Sequence, residues 1–234
     1  MTMALSPEQD GPKRAAAARA IEEVEDGMVL GLGSGSTAAF ALEELAARIA
    51  KGLHVAGIPT SEKAAALARR LGVPLTSFAE HRHVDLTIDG ADQVERGTLN
   101  LVKGLGGALV REKIVAAATR QEIIVVDDSK LVDHLGQKAP LPVEVVRFSH
   151  EATMRRLERF GCVPKLRTKD GSVFVTDNGN YIADCRFQRI DDPKKMESDL
   201  NLVPGVVDNG LFVGLTSKVI VASRDGIKVL EKNR

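Results

Sequence analysis

Over roughly the first 130 positions, short apolar runs alternate with longer stretches of helical, amphipathic periodicity. Positions 14–26 are alanine-rich and helix-forming, with Gly27 placed as a C-terminal stop. Positions 28–32 read as a buried strand, Gly33-Ser34-Gly35-Ser36 as a turn, and 37 to about 51 as an amphipathic helix. A second strand is expected at 53–58. A second crossover helix follows at 61–71, capped by Thr60 or Ser61. Further strands are expected at 73–76, 85–89, 99–103 and 122–127, with a helix at 109–119. Strands alternating with helices of this length define βαβ units and a mainly parallel sheet.

The pattern changes after Lys138, where Pro140 and Pro142 bracket a break. A strand at 143–146, a helix at 149–160 and a strand at 163–167 precede two runs, 172–176 and 181–187, separated by Asp177-Asn178-Gly179-Asn180. Asn-Gly between apolar runs is a strong hairpin signal. Asp192-Pro193 opens another helix as cap and first-turn proline, and 206–213 supplies a last strand. That order, β-α-β-β-α-β, is ferredoxin-like. Positions 218–222 and 227–230 look like sheet material again. The expected fold class is therefore α/β: a mainly parallel Rossmann-like sheet, residues 1–136 plus 209–234, with a small α+β ferredoxin-like domain inserted over 137–208.

Composition narrows the function classes. Apolar residues make up 44% of 234, ordinary for a chain that buries a core. Lys plus Arg and Asp plus Glu each number 32, so no net field draws in nucleic acid or an anionic membrane. An anionic ligand must be caught by local groups. The N-terminus has no apolar secretory h-region, and no apolar run approaches a membrane span. Two cysteines, Cys162 and Cys185, at no metal or redox spacing, read as buried small apolar groups in a reducing, cytoplasmic setting.

Several strand-end turns carry candidate chemistry. Gly31-Leu32-Gly33-Ser34-Gly35-Ser36-Thr37 follows a strand and opens a helix. Its backbone N–H groups and helix dipole suit an anion, although an ordinary tight turn would look the same. It is neither a Walker A loop nor a complete dinucleotide fingerprint, since no Lys precedes Ser36-Thr37 and Ser36 replaces the third glycine. Asp89-Gly90-Ala91-Asp92 ends a strand with two acids three apart. They either project into the ligand crevice together or leave Asp92 as a turn cap. Lys103-Gly104-Leu105-Gly106-Gly107-Ala108 is a second glycine-rich turn. Glu112, on the helix behind it, reads by itself as a solvated charge within Arg111-Glu112-Lys113. Lys130, after Asp127-Asp128-Ser129, either holds a substrate oxygen or is a surface lysine. His81 and His83 share one side of an extended segment, but no third ligand stands at a diagnostic spacing, so no metal is expected.

In this order, these motifs resemble the A-type ribose-5-phosphate isomerase family. Asp128-Ser129-Lys130, Leu141-Pro142-Val143-Glu144-Val145, Thr176-Asp177-Asn178-Gly179-Asn180 and Pro204-Gly205-Val206-Val207 extend the resemblance from about Lys13 to Leu230. The resemblance implies Glu112 as general base, with Lys103, Asp89 and Asp92 beside the reacting carbons. It implies substrate binding by Ser34, Gly35, Ser36, Thr37, Asp89, Gly90, Ala91, Asp92, Lys103, Gly104, Leu105 and Gly106, with Lys130 and Lys13 completing the anion site. Lys13 rests on its position in the first helix, and Leu105 stands where some members have glycine. The resemblance further implies interconversion of D-ribose 5-phosphate and D-ribulose 5-phosphate in the non-oxidative pentose phosphate pathway. It implies no cofactor, no metal, a homodimer or homotetramer, and a lid or oligomerisation role for the inserted domain. A sugar-phosphate-sensing regulator would call for a basic helix-turn-helix module. An amino-sugar-phosphate deaminase or coenzyme A transferase would share the sheet without this motif order.

Overall fold

The computed structural model describes residues 7–223 and 225–231 of the chain. Helix α1 (Pro7–Ile21) starts and stops earlier than expected; the chain reaches Gly27, at φ 81°, only after two turns. Ala16, Ala17 and Ala20 are fully buried, and side chains this small let α1 pack close against its neighbours. Strand β1 (Val29–Leu32) leads through the glycine turn into α2 (Ser36–Ile49), then β2 (Ala56–Pro59) and α3 (Glu62–Arg70). Ser61 caps α3 as expected, its Oγ accepting the Ala64 amide at 3.0 Å. Residues 73–76 do not form a strand; they make a single bridge, Leu75 to Gly57. Strand β3 (Val84–Asp89) ends at the first acid of the pair.

Two short strands have no counterpart in the pattern, β4 (Gln93–Glu95) and, beyond α4 (Leu109–Ala117) and β6 (Thr119–Asp127), β7 (Leu131–Val132), while the strand expected at 99–103 shortens to β5 (Leu101–Val102). Next come β8 (Leu141–Val145), α5 (His150–Leu157), β9 (Val163–Leu166), β10 (Thr168–Lys169), β11 (Ser172–Val173), β12 (Tyr181–Arg186), α6 (Pro193–Asn201), β13 (Val206–Asn209), β14 (Leu211–Phe212), β15 (Lys218–Ser223) and β16 (Gly226–Glu231).

The chain forms two compact units. The first holds the described residues up to Gly90, Val115–Lys130, and those from Thr216 on. Its sheet runs β16-β15-β6-β3-β1-β2, parallel throughout except for the antiparallel edge strand β16. Chain order reverses direction across the sheet between β1 and β3. In a doubly wound sheet this switch point opens a crevice at the carboxyl ends of the strands.

The second unit holds Ala91–Ile114 and Leu131–Leu215. Its antiparallel sheet β13-β8-β12-β9, with α5 and α6, is the ferredoxin-like arrangement. A second sheet, β14-β5-β4-β7, ties residues 91–114 to this unit, so its boundary starts well before position 137. Leu141, Val143, Val145, Cys162 and Cys185 belong to its apolar core. Asn178-Gly179 does make a tight turn, Gly179 N–H donating to Thr176 O at 2.9 Å. The expected hairpin across it is absent, because β11 pairs with β10 while β12 pairs with β8 and β9. No helix among the described residues is long and apolar enough to cross a membrane.

Candidate active site

In the first unit the carboxyl ends of three adjacent parallel strands, β2, β1 and β3, lie side by side. Gly33 closes the approach of β1 to β3, since a Cβ there would lie 2.4 Å from Asp89 Oδ1 and 2.5 Å from the Ile88 carbonyl. Asp89, 1% exposed, accepts the amides of Ser34 (3.0 Å) and Gly90 (2.7 Å) through Oδ1. Two N–H donors on one carboxylate oxygen fix the end of β3 against the glycine turn. Gly35 sits at φ 95°, ψ −178°, a conformation open essentially to glycine alone, and as N-cap of α2 it brings no side chain to the helix start. The amides of Ser36 and Thr37 therefore begin a 14-residue helix with its positive end uncapped by any side chain.

Ser34 Oγ lies 2.8 Å from Thr60 Oγ1 and donates to Ser61 Oγ at 2.7 Å. Thr60 in turn donates to the Leu32 carbonyl. By sequence spacing Thr60 and Ser61 are only a helix cap. The signal was their place at the carboxyl end of β2, the parallel neighbour of β1. At the end of β6, Lys13 Nζ stands 3.4 Å from Asp127 Oδ2. Burial pushes the Asp127 carboxyl up, but the Ser129 hydroxyl and the charges of Lys13 and Lys130 outweigh it and hold it below the usual range. Both lysines thus belong to one electrostatic cluster at this strand end.

The second unit carries the acid–lysine set. Lys103 and Glu112 are 2% and 7% exposed, and Lys103 Nζ lies 3.4 Å from Glu112 Oε1. Glu112 is not the solvated helix charge its Arg-Glu-Lys context suggested. It occupies the first turn of α4, and the Phe212 ring, 5.5 Å from Lys103 Nζ, helps wall the pair in. A carboxylate and an ammonium this buried are held out of water, where each strongly biases the other's charge. Asp92 Oδ2 accepts the Leu105 amide at 2.9 Å, so one oxygen of Asp92 braces the lysine-bearing loop. Gly104 and Gly107 take φ 106° and 87°, and Leu105 and Gly106 are exposed between them. Arg111 Nε donates to Asn178 Oδ1 at 3.0 Å, anchoring the start of α4 to the turn before β12.

Within each unit, then, the expected residues do gather: Ser34–Thr37, Asp89 and Gly90 on the edge of β1 and β3, with Lys13 and Lys130 at β6; Asp92, Lys103–Gly106 and Glu112 around the second glycine loop. Among the described residues no three His, Cys, Asp or Glu side chains stand together as a metal set. His83 instead meets Arg120 at 2.7 Å.

The relatives agree on one enzyme class. A protein of Gloeobacter violaceus, "Ribose-5-phosphate isomerase A", is 57% identical over 218 residues, 93% of this chain and 95% of that relative. The corresponding protein of Gluconobacter oxydans is 49% identical, over 92% and 94%. The solved ribose 5-phosphate isomerase A of Methanocaldococcus jannaschii superposes with a TM-score of 0.92 at 43% identity, covering 96% of this chain and all of that one. A D-ribose-5-phosphate isomerase solved in complex with phospho-erythronic acid gives 0.92 at 41%, covering 95% and 99%. The chain is an isomerase. The family model for ribose 5-phosphate isomerase A (phosphoriboisomerase A) matches residues 56–226, and the chain belongs to that family.

Proposed function

We propose that the chain interconverts D-ribose 5-phosphate and D-ribulose 5-phosphate through an enediolate, with Glu112 moving the proton. The buried Lys103–Glu112 pair is the observation that supports this reading most directly. In the open-chain aldose the Glu112 carboxylate takes the proton from C2, and the C–H electrons form the C1=C2 bond while the carbonyl oxygen becomes an oxyanion. The Lys103 ammonium stabilises that charge as it develops. Asp89 moves a proton between O1 and O2, and Glu112 then returns its proton to C1, leaving the ketone at C2. Asp92 takes part by holding the Leu105 amide. The Ser34–Thr37 turn, Lys130 and Lys13 bind the phosphate, which orients the reacting end. The phosphorylated sugar acid in the solved relative fits a site for anionic sugar derivatives. Proton transfer of this kind calls for neither cofactor nor metal, and the lid, the oligomer and a cytoplasmic location complete the proposal.

The test is ketopentose formation from ribose 5-phosphate, in wild type and in Glu112→Gln. No ketopentose from the wild type would sink the reading. Near-normal turnover by a folded Gln variant would remove Glu112 from it.

A further inference from the structure

One side chain outside all these motifs grips the lysine-bearing loop. Arg167 Nη1 donates to two successive carbonyls, Gly104 O at 2.8 Å and Leu105 O at 3.0 Å. Its Nε donates to Asp184 Oδ2 at 2.9 Å and its Nη2 to Asp184 Oδ1, a two-point fork anchored on β12. The guanidinium also lies 5.9 Å from the centroid of Phe174, whose ring covers Gly107 so closely that a Cβ there would lie 2.4 Å from it.

The consequence follows from peptide planarity, which sets C=O and N–H on opposite sides of each unit. The unit joining Gly104 to Leu105 is held from both sides: Arg167 takes its carbonyl and Asp92 its amide. The next unit has its carbonyl on Arg167, so the Gly106 N–H must point the other way. Gly106 is exposed, and among the described residues its amide has no acceptor. Gly107 N–H closes the turn on Gly104 O at 3.0 Å, which leaves the loop little freedom to rotate the Gly106 amide elsewhere.

We infer that Arg167, anchored by Asp184, is a positioning residue: it fixes two peptide planes so that the Gly106 N–H is aimed at a substrate oxygen beside Lys103. This rests on the isomerase reading above. The role demands a planar fork with several donors at set angles, which a lysine ammonium does not supply. It acts through the loop and does not touch the reacting atoms.

Two variants test it. Arg167→Lys keeps the charge and most of the stem, and is expected to melt near wild type. Its kcat on ribose 5-phosphate should fall roughly tenfold to a hundredfold, as misplacement of a positioned group does, with KM changed less than about threefold. Amide exchange at Leu105 and Gly107, measured by mass spectrometry on the wild type and the variant, should speed up while that of β8 and β12 stays the same. Arg167→Ala should lose kcat similarly and regain part of it with added methylguanidinium but not methylammonium. Wild-type kcat in Arg167→Lys, unchanged exchange at the loop, a loss confined to KM, or equal rescue by both amines would each overturn the inference. If the wild type makes no ketopentose, the isomerase reading falls, while the exchange result still decides whether the clamp exists.

Discussion

Removing the charge of Glu112 should be felt in stability as well as in rate. Lys103 and Glu112 sit 3.4 Å apart at 2% and 7% exposure. At an effective dielectric of about 20, two unit charges at that distance interact by about 5 kcal/mol before desolvation is counted. Breaking a buried pair from one side typically costs about 3–5 kcal/mol, because the remaining charge stays buried with less compensation. Glu112→Gln and Lys103→Met are each expected to lose about 3 kcal/mol, a melting shift of about 6–12 °C for a chain of this length. The double variant should lose much less than the sum, since no charge is stranded, leaving a coupling of about 2 kcal/mol or more. Calorimetric melting of wild type, both singles and the double gives the cycle. Losses that add to within about 0.5 kcal/mol would refute the claim that the two charges compensate each other. Turnover reads the chemistry separately: both singles should lose at least about a thousandfold in kcat, because proton transfer and oxyanion stabilisation are each removed.

Other expectations follow from the first unit. Gly35→Val should cut kcat/KM for ribose 5-phosphate far more than for unphosphorylated ribose, because φ 95° is strained for any β-branched residue and the turn is the proposed phosphate cradle; equal proportional losses would make it a structural turn. Exhaustive treatment with EDTA should leave activity intact, and loss restored by a divalent ion would overturn the proton-transfer scheme. Asp127 titrates below its unfolded value of about 3.9, so its stabilising contribution is present above about pH 4 and is lost as pH falls through the lower folded value. Asp127→Asn should therefore show a shallower fall in melting temperature between about pH 4 and 2 than wild type, and parallel curves would discount the cluster with Lys13 and Lys130.

Where local chemistry decides structure, the sequence was readable. Ser61 ahead of an alanine-rich helix, and the apolar run ending at Asp89, both sit where their spacing put them. The Asn178-Gly179 turn was readable too, but its partner was not. A turn reverses the chain locally, whereas the register of β12 is set by β8 and β9. Glu144, buried on β8, collects Thr176, Asn178 and Asn180 through Oε1 and so fixes that turn by a side chain more than thirty residues away. Strand β4, only Gln93–Glu95, has no apolar run to announce it. Glu112 reads as a surface charge until Lys103 and Phe212 enclose it, and only the family resemblance anticipated its burial. Arg167 left no signal at all, since its partners on the loop are backbone carbonyls that any residue would offer.

The short stretch that failed to become a strand, residues 73–76, closes the open side of β2. Gly57 N–H donates to the Pro74 carbonyl at 2.9 Å, and Thr76 N–H donates to Gly57 O at 3.0 Å. One residue of the edge is thereby occupied, by a segment whose proline has no N–H to continue the ladder. Pro59 ends β2 in the same way. A bare parallel edge is a template on which another chain can add itself and start an aggregate. Here the template is cut to almost nothing, so the pattern that spoiled a seventh strand also guards this side of the sheet against uncontrolled growth from molecule to molecule.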